Sequence, residues 1–519
     1  MTGDRLMRLS QLVAGFSITP PDADPEISGI SENSRRIGPG MVFVAVAGTS
    51  LDGHAYIAEA VERGAAAIVA ERTGSIPSGV PCVRVPSSRD VLALLAARHY
   101  GTTNLPLSIV GFTGTFGKTS TSDVLRQLLD VAGQRAGVLG SLGGRYRSFH
   151  DAGEGLTTPA PVELHRALRG LSDAGATTVI LEVTSHALRL GRVSGLRFDG
   201  GLLAAIMPGE HTDFHRSYED YVEAKGLFVD RLDLSALLAY DADNLAARRL
   251  ATAPAHGAEY TSRGSERPTG PASPGSPALS RRAIGFTLEG RDADVQFYDI
   301  LLDGRGATFS LGGRALAAQS GTRLHSPLLG RGHLRNVALA LTYAIGIGLP
   351  ATSARDVIAS LTPLRRRMER YDHDGRTVLD DTAAHPDSLK ATFDVAAMLP
   401  HRSLAVVYAV RGRRGPDINR MNAVALADLS FLHGVKPLIV TSSADRVGPM
   451  DVATGEEVDV TRQALVARGR RFVWHDSLAD AIRDACARTR GGDLILLVGA
   501  QGMNEGKSLL LGSGGRRAP

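Results

Sequence analysis

The sequence is poor in cysteine, with only Cys82 and Cys486 among 519 residues. Two cysteines so far apart form neither a zinc-binding motif nor the framework of a disulfide-rich domain. No apolar stretch reaches the ~18 residues that a membrane-spanning helix needs. The first twenty residues include Asp4 and lack the apolar core of a signal peptide. We therefore expect a cytoplasmic protein with no membrane segment.

Clusters of basic residues are missing as well. The net charge is +4, and no run of five or more Lys or Arg is interleaved with aromatic residues. Nucleic acid is therefore not an expected partner. What the chain does have is a 43% hydrophobic and 22% charged composition, which is typical of globular proteins with sizeable cores. Its length predicts about three domains.

Short apolar runs alternate with stretches of helical periodicity along most of the chain. Buried strands are predicted at 107–112, 178–183, 201–207, 236–241, 404–410, 438–442 and 494–500. Helices are predicted at 118–132, 334–347, 386–399 and 477–489. This alternation predicts an α/β fold in which crossover helices connect parallel strands.

The same pattern divides the chain. One α/β block extends from about residue 105 to 360 and another from about 365 to 510, and the first hundred residues form a separate small α/β unit. Residues 253–283 are rich in Pro, Gly, Ser and Ala. We interpret them as a flexible surface insertion in the middle block.

The segment VGFTGTFGKTSTSDVL, residues 110–125, places a glycine-rich loop between a strand and a helix. Glycines allow backbone N–H groups to face an anion, and the helix N-terminus adds positive potential. A lysine here contacts the outer phosphates of a nucleotide, and the next hydroxyl is a ligand for Mg²⁺. An ordinary strand-to-helix turn is the alternative. The predicted ATP-binding residues are Gly114, Thr115, Gly117, Lys118, Thr119 and Ser120.

The stretch TGTFGKTST is similar to the TGTNGKTST loop of the Mur ligases, which add amino acids to UDP-N-acetylmuramate during peptidoglycan assembly. The resemblance covers nearly the whole chain. It is strongest to the branch that adds the third residue, diaminopimelate or lysine, to the UDP-N-acetylmuramoyl dipeptide. Phe116 replaces the usual polar residue, a change that removes one side-chain hydrogen bond but leaves the backbone amides in place.

The resemblance implies an α/β, three-domain architecture. The domains are a UDP-sugar-binding domain at 1–104, a central ATP-binding domain with a phosphate loop and a parallel sheet at 105–361, and a Rossmann-like amino-acid-binding domain at 362–519. We expect a monomer whose substrates are a nucleotide-sugar peptide and an amino acid.

Two long motifs in the middle domain extend the resemblance. LEVTSHALRLGRV (181–193) is similar to E-V-S-S-H-A-L-x-x-x-R-V, and EHTDFHRSYEDYVEAKGLF (210–228) is similar to D-H-L-D-F-H-x-S-x-E-D-Y-x-x-A-K-x-x-L-F. They imply that Glu182 and His211 ligate a second Mg²⁺, in addition to the one assigned to Thr119, and that a carbamylated Lys225 helps to hold this second ion. With Lys118 of the phosphate loop, Lys225 and His211 are the predicted catalytic residues. A lone histidine is more often structural, but acidic and histidine side chains at strand ends lie on the ligand-binding edge of such a sheet.

The acceptor-binding residues are also implied by resemblance. ISENSRRIGPG (30–40) is similar to the family's D-S-R-x-V-x-P-G signature, which assigns Ser34 to the uridine diphosphate end. A simple turn is the alternative for this segment. TTPAP (157–161) is similar to the segment that contacts the muramoyl part. The remaining acceptor contacts are Thr157, Thr158, Thr184 and Arg192.

The third domain keeps some family positions and changes others. RRRMERYDHDGRTVLDDTAAHPDSL (365–389) lines up with P-G-R-M-E-R-V and V-D-Y-A-H-T-P-D-A-L. Arg367 and Asp381, together with Asn336, are the predicted ATP contacts of this part of the chain. The family's G-G-D-R-D has become RGRRGPDINR (411–420), D-N-P-R has become SADR (443–446), and G-K-G-H-E has become GAQGMNEG (499–506).

These changes remove the polar and acidic groups that suit a second ammonium on the incoming amino acid. Ala384 also replaces a histidine, and only Arg446 is left to contact the amino acid's carboxylate. We therefore predict an ATP-dependent amide-forming ligase that works through an acyl phosphate and has altered amino-acid specificity. The alternatives are a catalytically silent relative that binds a UDP-muramoyl peptide or a partner protein, and a member of the folylpolyglutamate synthetase branch.

Overall fold

The computed structural model describes residues 6–17, 22–48, 51–72, 77, 79–153, 155–209, 214–253, 282–316 and 319–513. These residues belong to two compact units. The first comprises Met1–Gln296, Gly312–Gln319 and Ala338–Ala354, and the second comprises Phe297–Leu311, Ser320–Val337 and Arg355–Pro519. Within the described ranges, no helix combines the length and apolar character needed to cross a membrane.

The first unit begins with a small α/β layer. Strands β1 (Met7–Arg8) and β2 (Glu26–Ile27) pair antiparallel. A parallel sheet then follows in chain order, made of β3 (Gly29–Ser31), β4 (Met41–Val44), β5 (Ala67–Ala70) and β6 (Cys82–Arg84). Its helices are α1 (Leu9–Val13), α2 (Ile57–Glu62) and α3 (Ser88–His99). Buried apolar clusters cover the sheet.

The central sheet of the first unit carries the predicted phosphate loop. Its strands are β7 (Ser108–Thr113), β8 (Ala136–Gly140), β9 (Gly143–Tyr146), β10 (Phe149–Asp151), β11 (Thr178–Glu182), β12 (Phe198–Leu203), β13 (Leu232–Asp241), β14 (Arg282–Thr287) and β15 (Val295–Asp303). They lie in the order β10-β9-β8-β11-β7-β12-β13-β14-β15. From β8 to β15 in this order, each pair of neighbouring strands is parallel. Strand β9 pairs antiparallel with both β8 and β10.

The crossover helices of this sheet are α4 (Lys118–Val131), α5 (Pro161–Asp173), α6 (Ser185–Arg189), α7 (Tyr218–Val229) and α8 (Leu245–Thr252). A glycine brings α7 close to β7. A Cβ on Gly111 would lie 2.3 Å from the Phe228 ring and 2.8 Å from the Phe198 ring. Only a glycine therefore allows Phe228 to pack so closely, and this packing sets the position of Lys225 on the same helix.

The second unit contains the remaining strands and helices. Strand β15 continues into it and is followed by the antiparallel pair β16 (Gly306–Gly312) and β17 (Arg323–Ser326). A six-stranded sheet has the order β18-β19-β23-β20-β21-β22. These strands are β18 (Glu369–His373), β19 (Arg376–Asp381), β20 (Leu404–Ala409), β21 (Leu438–Thr441), β22 (Val473–His475) and β23 (Leu494–Val498). All are parallel to their neighbours except β18.

The later described helices are α9 (Gly330–Gly346), α10 (Arg355–Ser360), α11 (Pro386–Met398), α12 (Pro416–Leu432), α13 (Gly455–Ala467), α14 (Leu478–Arg488) and α15 (Gly506–Ser513). The predicted parallel α/β fold is confirmed, because each predicted strand and helix corresponds to one of these elements. The predicted insertion at 253–283 is wrong at its end, since residues 282–283 already belong to β14. Residues 254–281 lie outside the described ranges.

Candidate functional site

The phosphate loop lies between β7 and α4, as predicted. Gly117 has a φ of 79°, a conformation that favours glycine, and it precedes the first residue of α4. A Cβ on Gly114 would lie 2.6 Å from the Cβ of Ala204. Phe116 is 39% exposed, so its side chain does not pack into the core beneath the loop. The other predicted residues at this junction, Thr115, Thr119 and Ser120, are buried.

Two lysines converge on one carbonyl of this loop. Lys118 Nζ donates to the carbonyl oxygens of Gly114 at 2.9 Å and Thr115 at 3.2 Å. Lys225 Nζ, which is buried, also donates to the Gly114 carbonyl, at 2.9 Å. The two predicted catalytic lysines are therefore brought together, although more than one hundred residues separate them in sequence.

Tyr221 joins the helix that carries Lys225 to the loop. Its ring lies 4.7 Å from Lys225 Nζ, and its hydroxyl is 3.1 Å from Thr115 Oγ1. The buried His215 packs against the same ring, with centroids 5.1 Å apart, and its Nε2 is 2.9 Å from Ser185 Oγ. Neither residue is among the predicted site residues. The sequence feature that could have pointed to them is that both lie within the motif at 210–228.

Glu182 is the buried carboxylate of the site, at the end of β11. Its Oε2 accepts hydrogen bonds from Thr119 Oγ1 at 3.1 Å and Ser141 Oγ at 3.2 Å. Its Oε1 is buried and has no hydrogen-bond partner among the described residues. Burial raises the pKa of this carboxyl, and the charge of Lys118 opposes that increase.

The donor set of Thr119 and Glu182 fits a hard cation such as Mg²⁺, which prefers oxygen ligands. A buried, ionisable oxygen without a protein partner is what a metal ligand requires, and Glu182 Oε1 meets that requirement. Among described residues no three His, Cys, Asp or Glu side chains group as a metal site. The predicted ligand His211 lies outside the described ranges.

The predicted acceptor residues of the central sheet meet at the same strand end. Thr158 Oγ1 donates to the Glu182 carbonyl oxygen at 2.9 Å and accepts from the Thr184 N–H at 3.0 Å. Arg192 Nη1 donates to the Thr158 carbonyl oxygen at 3.1 Å. Burial lowers the pKa of this arginine, and the nearby Glu32 opposes that effect.

Thr157 and Ser34 complete the predicted acceptor set in different ways. The Thr157 hydroxyl is 2.9 Å from Ser141 Oγ, so it belongs to the group around Glu182. Ser34 is buried and donates to Glu59 Oε2 at 2.9 Å. It opens a short 3₁₀ helix that Asn33 caps by accepting from the Arg35 N–H. Ser34 therefore does form a turn, and no described hydrogen bond joins it to the threonines.

In the second unit, two predicted nucleotide contacts lie together. Asp381 is buried; its Oδ1 accepts from the Met368 N–H at 3.1 Å, and its Oδ2 accepts from Thr392 Oγ1 at 2.7 Å. Arg367 Nη1 donates to Thr382 Oγ1 at 2.7 Å. Burial lowers the pKa of His333, the charge of Asp381 opposes this, and Arg367 adds to it. His333 therefore belongs to the same group.

Two further predicted residues are less closely connected. Asn336 is half-buried on α9, one helical turn after His333. Arg446 is exposed, and its Nε lies 3.3 Å from the carboxylate of Asp445. Asp445 is in turn held by the Leu478 N–H at 2.7 Å and the Ser477 hydroxyl at 3.1 Å. No described hydrogen bond connects Arg446 to Arg367 or Asp381.

Comparison with known proteins identifies the relatives of this chain. Three family models match it in order: the Mur ligase family catalytic domain at 26–100, the Mur ligase middle domain at 112–344 and the Mur ligase glutamate ligase domain at 366–501. The UDP-N-acetylmuramoyl-L-alanyl-D-glutamate–2,6-diaminopimelate ligase of Chlorobaculum tepidum is 33% identical, over 91% of this chain and 87% of the relative.

Solved structures agree on the fold. A UDP-N-acetylmuramoyl-L-alanyl-D-glutamate–2,6-diaminopimelate ligase superposes with a TM-score of 0.62 at 21% identity, covering 99% of this chain and 100% of that one. A MurF ligase from Thermotoga maritima, solved in complex with ADP, superposes with a TM-score of 0.59 at 21% identity, covering 93% and 96%.

These matches confirm three predictions made from the sequence: the family resemblance, the α/β architecture and the assignment to the ligases. The domain boundaries and the individual site residues stay predictions. Because three successive domain models match and a relative is 33% identical over 91% of this chain, the chain belongs to the Mur ligase family.

Proposed function

We propose that this protein is an ATP-dependent ligase that joins an amino acid to a carboxylate of a UDP-N-acetylmuramoyl-peptide-like acceptor. One observation carries the proposal. The phosphate loop and the acceptor threonines meet at Glu182, whose side chain accepts from Thr119 and whose carbonyl accepts from Thr158. A nucleotide phosphate and an acceptor placed on these groups would be neighbours. The relative from Chlorobaculum tepidum is named for such an acceptor.

The reaction would proceed in two steps. An acceptor carboxylate oxygen bonds to the γ-phosphorus of ATP while the bond from that phosphorus to the β,γ-bridging oxygen breaks, which gives an acyl phosphate and ADP. The amine of the amino acid then bonds to the acyl carbon. Phosphate leaves with the electrons of the C–O bond, and the amine loses a proton. Lys118 and the loop N–H groups would stabilise the charge that develops on the transferred phosphoryl group.

The residues around Glu182 fit a resident Mg²⁺. Glu182 would hold it together with His211 and a carbamylated Lys225, which the resemblance implies, and Thr119 would ligate a first Mg²⁺ at the phosphate loop. When bound, Mg²⁺ would supply positive charge that offsets the repulsion between a carboxylate and a triphosphate.

The arrangement of the two lysines supports carbamylation of Lys225. Its Nζ is buried and shares the Gly114 carbonyl with Lys118 Nζ. The buried Lys225 ammonium is repelled by the half-buried Lys118 ammonium that shares its carbonyl acceptor. A carbamate would replace one positive charge by a negative one, and would thus turn repulsion into attraction.

We further propose that Asn336, Arg367 and Asp381 contact ATP, that Arg446 contacts the amino acid's carboxylate, and that the amino-acid specificity is altered. Ala384 and the segments 411–420, 443–446 and 499–506 carry the changes. A site that hydrogen-bonds a polar substrate group discriminates strongly, and loss of those partners removes that preference. The Mur ligase model that matches residues 26–100 favours a nucleotide-sugar acceptor over a folate-like one.

Replacement of the loop lysine tests the proposal. Lys118→Ala should reduce ATP turnover by a factor of ~10² or more, because it removes a charge aimed at the transferred phosphoryl group, while thermal unfolding stays within a few degrees of the parent. The matched control is Lys390→Ala, since Lys390 is an exposed lysine paired with Asp394. Undiminished turnover in Lys118→Ala would refute the assignment of the loop to ATP.

A further inference from the structure

Two departures from the family pattern occur as a pair in the second unit. The pattern P-G-R-M-E-R has glycine at position 366, and V-D-Y-A-H has valine at position 380, whereas this chain has Arg366 and Asp380. Both side chains are buried, at 3% and 0% exposure, and Arg366 Nε donates to Asp380 Oδ1 at 3.0 Å. Arg366 keeps a φ of 57°, the left-handed conformation in which glycine is usual.

The guanidinium of Arg366 uses all five of its N–H donors. Besides the bond to Asp380, Nη1 donates to the Ala500 carbonyl and to Asn504 Oδ1, each at 2.7 Å. Nη2 donates to the Gly499 carbonyl and, at 3.3 Å, to the Asp381 carbonyl. Three of the five bonds thus end on one loop, residues 499–504.

This loop begins the segment that replaces the family's G-K-G-H-E, one of the places where the incoming amino acid would be recognised. The other bonds of Arg366 end on β19, beside Asp381. Arg367 Nη1 donates to the Arg366 carbonyl oxygen at 3.1 Å. The pair therefore connects the predicted nucleotide contacts to a rewritten loop, in a place where glycine and valine offer no such connection.

We infer that Arg366 and Asp380 are a positioning pair that fixes the 499–504 loop and thereby sets the affinity for the incoming amino acid. The inference rests on the proposed function for its link to the amino acid, but not for its claim about the loop. A lysine has no guanidinium fork, so Arg366→Lys keeps a charge near Asp380 while losing most of the loop contacts. Asp380→Asn keeps an acceptor for Arg366 Nε.

Amide hydrogen exchange and steady-state kinetics on the full chain test the inference together. In Arg366→Lys, exchange in residues 499–506 should accelerate at least tenfold, with residues 404–409 of β20 unchanged as the internal control. The KM for the amino acid should rise at least tenfold and the KM for ATP less than twofold. In Asp380→Asn, loop exchange and the KM for the amino acid should rise, but less than in Arg366→Lys, because Arg366 Nε keeps a neutral acceptor in place of a charged one.

The double variant Arg366→Gly, Asp380→Val tests whether the pair positions the loop or whether the two buried charges only neutralise each other. It restores the family residues and removes both buried charges, so thermal unfolding should remain near that of the parent. Loop exchange and the KM for the amino acid should nevertheless stay raised. The inference would be overturned if the double variant had the same loop amide exchange and the same KM for the amino acid as the parent. It would also be overturned if loop amide exchange in Arg366→Lys equalled that of the parent. If the parent released no phosphate with any amino acid, the proposed function would fail, and loop exchange alone would decide the positioning role.

Discussion

At the scale of single residues, Phe116 is the departure nearest to the chemistry. The loop around it keeps the left-handed Gly117, the close approach of Gly114 to Ala204 and the Lys118 side chain. Because backbone N–H groups form the phosphate cradle, a residue with an exposed side chain at position 116 leaves the cradle intact. The loop is therefore expected to hold ATP without the usual polar side chain.

Lys225 gives the sharpest test at this scale. Lys225→Ala should lose activity by a factor of ~10² or more, because it removes a charge close to the transferred phosphoryl group. Added short carboxylates such as formate or acetate should restore part of that activity by occupying the place of the carbamate. Phosphate release measured with and without the additive provides the check. Lys118→Ala should show no such rescue, and full activity of Lys225→Ala without additive would rule out the carbamate.

The raised pKa of the buried Asp380 carboxyl leads us to predict a pH dependence of stability. Burial raises the pKa of Asp380 to about 6 from its ordinary 3.8, while the charge of Arg366 opposes the increase. The folded state then binds more protons than the unfolded state between these values, so this group's contribution to stability declines as pH rises from about 4 to about 6. Relative to Asp380→Asn, the parent's free energy of unfolding should fall by about 2–3 kcal/mol across that window.

Denaturant unfolding of both proteins at pH 4, 5, 6 and 7 measures this difference. The Asn variant serves as the control because every other titrating group is common to the two chains. A difference that stays constant over the window, or that grows with the opposite sign, would contradict a raised pKa at Asp380.

At the scale of secondary-structure elements, the packing of β8 against β11 fixes the geometry of Glu182. A Cβ on Gly140 at the end of β8 would lie 2.2 Å from Glu182 Oε1. Gly140→Ala should therefore displace the carboxylate from Thr119 and Ser141. We expect the Mg²⁺ concentration for half-maximal activity to rise at least tenfold, and stability to fall by ~1–3 kcal/mol through overpacking.

The control for this change is Gly455→Ala, since among the described residues no atom beyond its chain neighbours and its own helix backbone lies within 4 Å of a Cβ there. Metal titrations of the two variants side by side separate a local displacement of Glu182 from a general effect of added bulk. An unchanged Mg²⁺ requirement in Gly140→Ala would show that Glu182 does not hold the metal.

The elements differ in how far the sequence predicts them. Parallel strands buried on both faces are near-continuous apolar runs, which is why β7, β11, β20 and β23 could be located in advance. The antiparallel strands β9 and β10 could not, because the polar, glycine-rich stretch at 143–151 contains no such run. The hydrogen bond from Thr158 to the Glu182 carbonyl was not predicted, because it depends on how the segment before α5 folds back onto the end of β11.

The site was likewise predictable in part. The phosphate loop has a local signature, and its residues lie where the motif predicts. Tyr221 and Arg366 were missed because their importance comes from contacts with residues more than one hundred positions away. The one available signal for Arg366 was a pair of charged residues, at 366 and 380, in places where the family pattern has glycine and valine.

At the scale of the whole molecule, the departures from the family are uneven. In the described part of the first unit, Lys118 and Lys225 share the Gly114 carbonyl, and Thr119 and Thr158 both donate to Glu182. The second unit retains Arg367 and Asp381 but has rewritten segments at 411–420, 443–446 and 499–506. This distribution supports our proposal of a ligase that preserves phosphoryl transfer and adds a different amino acid.

The central claim is tested most directly by phosphate release from ATP by the purified protein, with UDP-N-acetylmuramoyl-L-Ala-D-Glu and each of a panel of amino acids, followed by mass spectrometry of the products. We predict release that requires both the nucleotide sugar and one amino acid other than diaminopimelate or lysine, with an adduct of the corresponding mass. Binding of the nucleotide sugar without release for any amino acid would contradict the claim and indicate a catalytically silent relative.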